Sequence, residues 1–288
     1  MFDSIKRDLI FQFRHGGMTT RLILINVVVF VTIMMIRLIG FIVNGGEVPG
    51  FYHILTNGLS ISNDWKSVLF RPWSIISHMF LHLGFFHILF NMLYLFWFGR
   101  ILENLLGERK ILNIYIISGL IGAFFFFIFS RLLYDGEIYA LGASAAVMGI
   151  AVATATMSPD YEMRLLFLGD VKLKYLVLAL VLLDLIMIPT MSNSGGRVAH
   201  LGGALMGFLY IKLLYNGIDL GDINWKPSVK RPKFKVYVNK DKPQDNNRYN
   251  RPQTVEQRVD EILDKIRSSG YDSLTQDEKD FLYDASKK

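Results

Sequence analysis

Gly142-Ala143-Ser144-Ala145-Ala146-Val147-Met148-Gly149 is the stretch from which the rest of the chain is read. The segments around it are bulky, aromatic and apolar, whereas here the side chains shrink almost to nothing and leave one hydroxyl among them. Small residues let neighbouring helices approach backbone to backbone. A helix this thin, flanked by Phe-rich and Leu-rich segments, is predicted to be central, with others packed around it. Ser144 is then buried inside a bundle and needs a partner opposite it. The chain supplies His200, His87, Asn91 and His82 as candidates.

The surrounding composition fixes the solvent. Of 288 residues, 52% are hydrophobic and only 19% charged, and the mean hydropathy is +0.33. A soluble domain of this length carries more charge. Because the apolar residues cluster into long runs, the chain reads as an all-α polytopic membrane protein. The net charge of +6 is then assigned to basic loops and a basic tail rather than to nucleic-acid binding. There is no cysteine, which excludes disulfides, thiolate metal sites and a cysteine nucleophile. No cofactor and no metal are expected.

A membrane span needs about 20 apolar residues at about 1.5 Å rise each. Six candidates follow: 22–43, about 78–98, 111–133, 141 to about 157, 175–188 and 198–215. Residues 1–20 form a basic leader (Lys6, Arg7, Arg14) running into an apolar stretch too long for a signal core. Residues 46–77 carry Phe51, Tyr52, Trp65, Phe70 and Trp73, aromatics suited to the membrane boundary. With the amino terminus in the cytoplasm, the inside segments hold Arg21, Arg100, Arg109, Lys110, Arg164, Lys172 and Lys174. The outside loops hold only Lys66, Arg71, Arg131 and Arg197. This asymmetry predicts six spans with both termini inside; a short amino terminus without an organelle transit pattern leads to the expectation of a bacterial inner membrane. The expected division is a leader (1–20), a six-span domain (21–215), a basic linker suited to anionic lipid headgroups (216–252) and a small cytosolic helical hairpin (253–288). In the hairpin, Thr275-Gln276-Asp277-Glu278 fits a capping box. It offers a surface for an unidentified cytosolic partner.

Ionisable residues inside spans are costly and by default mark function. The predicted second span holds His78, His82 and His87, followed by Asn91. His87 and Asn91, four apart, share one helix face. Under the inferred topology these residues, Ser144 and His200 all fall at the outer end of their helices. A serine hydroxyl becomes nucleophilic when a base takes its proton, and a neutral imidazole at His200 suits that role near neutral pH. The oxyanion formed by attack on an amide needs donors; Asn91, the His87 imidazole and the Ser144 backbone N–H are candidates. With no carboxylate obviously placed to orient His200, a Ser–His dyad is expected, and Asp184 is read as a structural or cavity-facing acid. His78 is read as an interfacial histidine. His78 and His82, four apart, could alternatively share a metal ion.

Three motifs together resemble the rhomboid family of intramembrane serine proteases. They are His82-Leu-Gly-Phe-Phe-His87-Ile-Leu-Phe-Asn91, Gly142-Ala143-Ser144-Ala145 and Ala199-His200-Leu-Gly-Gly203. The resemblance covers about residues 20–215. It implies a six-helix rhomboid-like bundle with Ser144 as nucleophile and His200 as base. It also implies that His87 and Asn91 line the oxyanion site and that His82 supports a water-filled cavity. Substrates would be single-span membrane proteins, entering between the second and fifth helices and cut near the outer face. The chain departs from the family pattern at Ala145, where many members have Gly, and at Met148, where many have an aromatic stacked on the histidine. It departs again at Arg71-Pro72-Trp73-Ser74, where many have Trp-Arg. A catalytically inactive rhomboid-like binder of membrane-protein clients is the alternative reading.

Overall fold

The computed structural model describes residues 2–165, 169–190, 193–221 and 255–286. The chain forms two compact units, residues 1–227 and 228–288.

The first unit opens with α1 (Phe2–His15), an amphipathic helix whose Leu9, Ile10, Phe11 and Phe13 are exposed. The apolar run that follows is α2 (Met18–Val43). The aromatic-rich connection folds into α3 (Gly50–Leu59), the two-residue strand β1 (Ile61–Ser62), α4 (Trp65–Phe70) and α5 (Ser74–Ser77). Next come the long helices α6 (Phe85–Leu106) and α7 (Glu108–Leu133), the short strand β2 (Tyr139–Ala140) and α8 (Ser144–Met157). An antiparallel hairpin, β3 (Glu162–Leu165) and β4 (Gly169–Lys172), leads into α9 (Leu173–Met187) and finally α10 (Ser194–Tyr215).

Helices α2, α6, α7 and α10 are each long and apolar enough to cross a membrane. The chain is a multi-pass membrane protein, and its six main helices form the expected all-α bundle. At 14 residues α8 is about 21 Å long, short of a hydrocarbon core of about 30 Å. Protein encloses it instead of lipid, since it packs against α10, α7 and α6. The reason is its small-residue composition. A Cβ added at Gly203 would collide with the carbonyl of Ala145, and one at Gly207 with the carbonyl of Gly149; at Gly149 it would strike the Ser118 side chain. Helix α10 thus closes on α8 backbone to backbone and α7 packs its Ser118 side chain on Gly149, around a core that includes Phe98, Ile114, Tyr115, Ile150 and Ala153.

Of the helix starts that differ from the sequence reading, two bear on the site. The second span does not begin near His78. Residues 78–80 are a 3-10 turn, Leu81 is extended, and α6 starts only after Gly84. His78 and His82 therefore stand outside the helix that carries His87. The His78 imidazole bonds the Ser74 carbonyl through Nδ1 (2.8 Å), and the two histidine rings at 82 and 87 meet edge to face, 4.9 Å apart. Long-range contacts of the 78–84 segment override the apolar periodicity that suggested a helix there. The fourth helix, likewise, starts on Ser144 itself rather than at Leu141.

The connection between α2 and α6 is tied to the segment just before Ser144. β1 pairs antiparallel with β2, Ile61 opposite Ala140 and Ser62 opposite Tyr139. Ser62 donates to Glu137 (2.8 Å), and the Asn63 side chain bonds Gly136 and Ile138. The Trp73 indole donates to the Gly58 carbonyl (2.8 Å), and Arg71 reaches Asn57 and Ser67. Hydrogen bonding from Ser67, reinforced by Ser62, Tyr139 and the nearby Arg71 charge, holds the Glu137 carboxyl below the usual carboxylate range.

In the second unit, α11 (Val255–Ser269) and α12 (Gln276–Ala285) form a hairpin. Thr275 and Glu278 make a reciprocal capping box, and Lys265 bonds both oxygens of Glu278 (2.9 and 2.8 Å). Residues 222–252 of the expected basic linker lie outside the described residues.

Candidate active site

The turn Leu141-Gly142-Ala143 delivers Ser144 to the first position of α8. Gly142 has φ +120°, a conformation that side chains rarely adopt, and a Cβ there would press against the His87 ring at 2.7 Å. Two contacts pin this turn. The Gly142 N–H donates to the His78 carbonyl (2.8 Å), and the Ala143 N–H donates to Nε2 of the buried His82 (3.3 Å). His82 accordingly supports the turn from behind and is not on the cavity wall; it and His78 both have a ring nitrogen engaged by protein. The N–H groups of Ser144 and Ala145 lie in the first turn of α8, where a helix supplies no carbonyl acceptors and its dipole favours negative charge.

His200 comes from α10. Its Nε2 is 2.7 Å from Ser144 Oγ, within reach for the hydroxyl to donate its proton to the ring. The side chain retains 20% exposure, so the ring is neither sealed from the cavity nor loose in it. On its other side, Nδ1 is 2.9 Å from Oδ2 of Asp184 on α9. The remaining oxygen of Asp184, Oδ1, faces the guanidinium of Arg197 at 3.4 Å. The sequence reading saw no carboxylate obviously placed to orient His200; the structure puts Ser144, His200 and Asp184 in one line across α8, α10 and α9. Asp184 precedes His200 by 16 residues, with the α9–α10 reversal between them. Periodicity gave no sign of the meeting. The one usable signal was an acid inside a span, which by default deserves a functional explanation.

A cavity of about 610 Å³ opens over this line, walled by Phe86, His87, Phe90 and Asn91 of α6, Val147 and Met148 of α8, and Leu180 and Leu183 of α9. Ser144, Asp184 and His200 are on its wall as well. The structure therefore brings four of the five predicted residues to one cavity: Ser144, His200, His87 and Asn91. One proton of the Asn91 amide is engaged by the His87 carbonyl (2.8 Å); the second is not needed by that bond. Among the described residues, no group of three or more His, Cys, Asp or Glu is arranged to hold a metal ion.

Residues 70–217 match the model of the Rhomboid domain, and residues 246–288 match a family of unknown function, DUF6576. The chain is 34% identical over 151 residues to RHOMBOID-like protein 6, mitochondrial, of Arabidopsis thaliana, covering 50% of this chain and 45% of that protein. It is 32% identical over 170 residues to Rhomboid protease AarA of Providencia stuartii, covering 52% and 56%. With the presenilin-associated rhomboid-like protein, mitochondrial, of Homo sapiens it shares 28% over 158 residues, covering 52% and 39%. The chain thus spans about half the length, or less, of these curated relatives.

Proposed function

The chain belongs to the rhomboid family, and from that premise we propose that it is an intramembrane serine endopeptidase acting on single-span membrane proteins. One observation carries the reading: Ser144 Oγ and His200 Nε2 stand 2.7 Å apart on the wall of a cavity. In the reaction, Oγ attacks the scissile carbonyl carbon while its proton passes to Nε2. The resulting oxyanion is met by the N–H of Ser144 at the start of α8, with the second amide proton of Asn91 and the His87 imidazole facing the same space. As the C–N bond breaks, His200 returns the proton to the leaving amine. Water then attacks the acyl ester, again through His200, and releases the new carboxylic acid.

Lateral entry is supported by the cavity wall. Phe86 and Phe90 of α6 and Leu183 of α9 line it and are also exposed, so the apolar mouth between α6 and α9 suits a segment arriving from lipid. An intact helix hides its carbonyls, so substrates with helix-breaking residues near the cut are favoured. The distribution of Lys and Arg supports both termini in the cytoplasm, which puts the cut near the outer face.

The test is labelling and cleavage. Purified chain should react with a fluorophosphonate at Ser144 and cleave a model single-span substrate, and Ser144→Ala and His200→Ala should abolish both. Stable capture of such a substrate by the wild type, with neither labelling nor product, would replace the protease with a rhomboid-like binder. Chelator-sensitive cleavage surviving Ser144→Ala would transfer the chemistry to a metal.

A further inference from the structure

We propose that Asp184 is a positioning residue for His200, so that α9 supplies the third member of a Ser–His–Asp triad; this rests on the protease reading above. The geometry divides the two carboxylate oxygens between two donors. Oδ2 takes the His200 Nδ1–H at 2.9 Å, and Oδ1 takes Arg197 at 3.4 Å. The carboxylate is 11% exposed and is one of only three buried residues on α9, with Leu173 and Val177. A carboxylate in a membrane protein is costly unless paired. Arg197 alone could pair it, but the shorter bond goes to the imidazole.

The consequence concerns the tautomer. With the carboxylate accepting at Nδ1, the neutral ring keeps its proton there and leaves Nε2 as a lone pair facing Ser144. No other part of the site fixes the ring so directly. Met148, one turn after Ser144, is an unbranched thioether on the cavity wall, and it packs without imposing an orientation. Arg197 makes the arrangement directional, because guanidinium only donates. In Asp184→Asn the amide oxygen is held towards Arg197 and the amide nitrogen is turned towards His200. Nδ1 must then accept, the ring proton moves to Nε2, and the base opposite Ser144 is lost. Other groups beside the ring are His87 on α6 and the Ser144 hydroxyl itself, and neither can supply a carboxylate acceptor at Nδ1.

The proposal predicts an order that a purely structural role reverses. Asp184→Asn, nearly isosteric, should lower kcat by roughly 10²–10⁴-fold with KM unchanged. Asp184→Ala should lose less, because it removes the carboxylate without imposing the wrong tautomer. In Asp184→Asn/Arg197→Gln the amide can rotate, and part of the lost kcat should return. The measurement is steady-state cleavage of a model single-span substrate by the purified full chain, with melting curves for each variant. Where Asp184→Asn fails to fold, Arg197→Gln carries the test: it loosens Asp184 and should lower kcat by a smaller factor at unchanged KM. Wild-type kcat in the variant that carries the test, or a larger loss in Asp184→Ala than in Asp184→Asn, overturns the proposal. If Ser144→Ala is inactive in that same experiment, the protease reading stands without Asp184. A wild-type chain that neither cleaves nor labels overturns both.

Discussion

Helices α8 and α9 each contribute one member to the Ser–His–Asp line, and they are held in opposite ways. Eight of the 14 residues of α8 are buried, and the carbonyls of Ala145 and Gly149 lie where Gly203 and Gly207 of α10 leave no room for a Cβ. Only three of the 15 residues of α9 are buried; Leu178, Leu182, Leu185 and Ile186 are exposed. Ser144 thus rides on a helix locked by backbone contact. The carboxylate rides on one that is exposed along most of its length and that few side chains fasten. Close packing fixes position because a void or an extra methylene is felt at once, whereas a lipid-facing helix can shift with little lost contact. The Ser144–His200 approach is set by the closely packed pair α8 and α10, and the Asp184 contact to the ring by the looser helix.

The contrast can be broken most directly at Gly203. Gly203→Leu drives a side chain into the Ala145 backbone and should abolish both cleavage and cooperative melting; an active, stable variant would show that the α8–α10 contact is not tight. Next in size, Ile150→Ala, at a fully buried position of α8, should cost about 2–5 kcal/mol in denaturation from detergent. On α9, Leu182→Ala removes an exposed side chain and should change stability by no more than about 0.5 kcal/mol. Equal losses at Ile150 and Leu182 would erase the distinction between the two helices. Amide hydrogen exchange should agree, with α9 exchanging faster than α8.

The smallest effect belongs to the carboxy-terminal hairpin, whose buried apolar residues include Ile262 and Leu274. Its Glu278 carboxyl is lowered from 4.5 to about 2, first by Lys265 and then by the Thr275 N–H. A lowered carboxylate stabilises the fold above its unfolded value, and the contribution disappears as pH falls through the folded one. Between pH 4.5 and about 2 the hairpin should therefore lose helicity in circular dichroism, and Glu278→Gln should flatten that dependence. An unchanged titration in the variant would dissociate the lowered carboxyl from the hairpin's stability.

Much of this architecture is visible in the residues themselves. The apolar runs, the spacing His82-x4-His87-x3-Asn91, the small residues around Ser144 and the glycines after His200 place six helices and single out Ser144 and His200 as the candidate nucleophile and base. They do so because span length, side-chain size and helical periodicity are local properties. Helix starts are less local. The segment from His78 to Gly84 has the apolarity of a span, yet it unwinds because His78 and His82 are used to hold the turn before Ser144.

What the sequence determined alone was a membrane bundle with a thin central helix and one hydroxyl facing an imidazole. What only the tertiary structure decided was the far side of that imidazole. Asp184 reads in sequence as an isolated acid in an apolar run, and its meeting with His200 depends on the reversal between α9 and α10 and on the rotation of each helix about its axis. Those are set by long-range packing and by the two donors, Arg197 and His200, that a buried carboxylate requires. No pattern within a single helix encodes them.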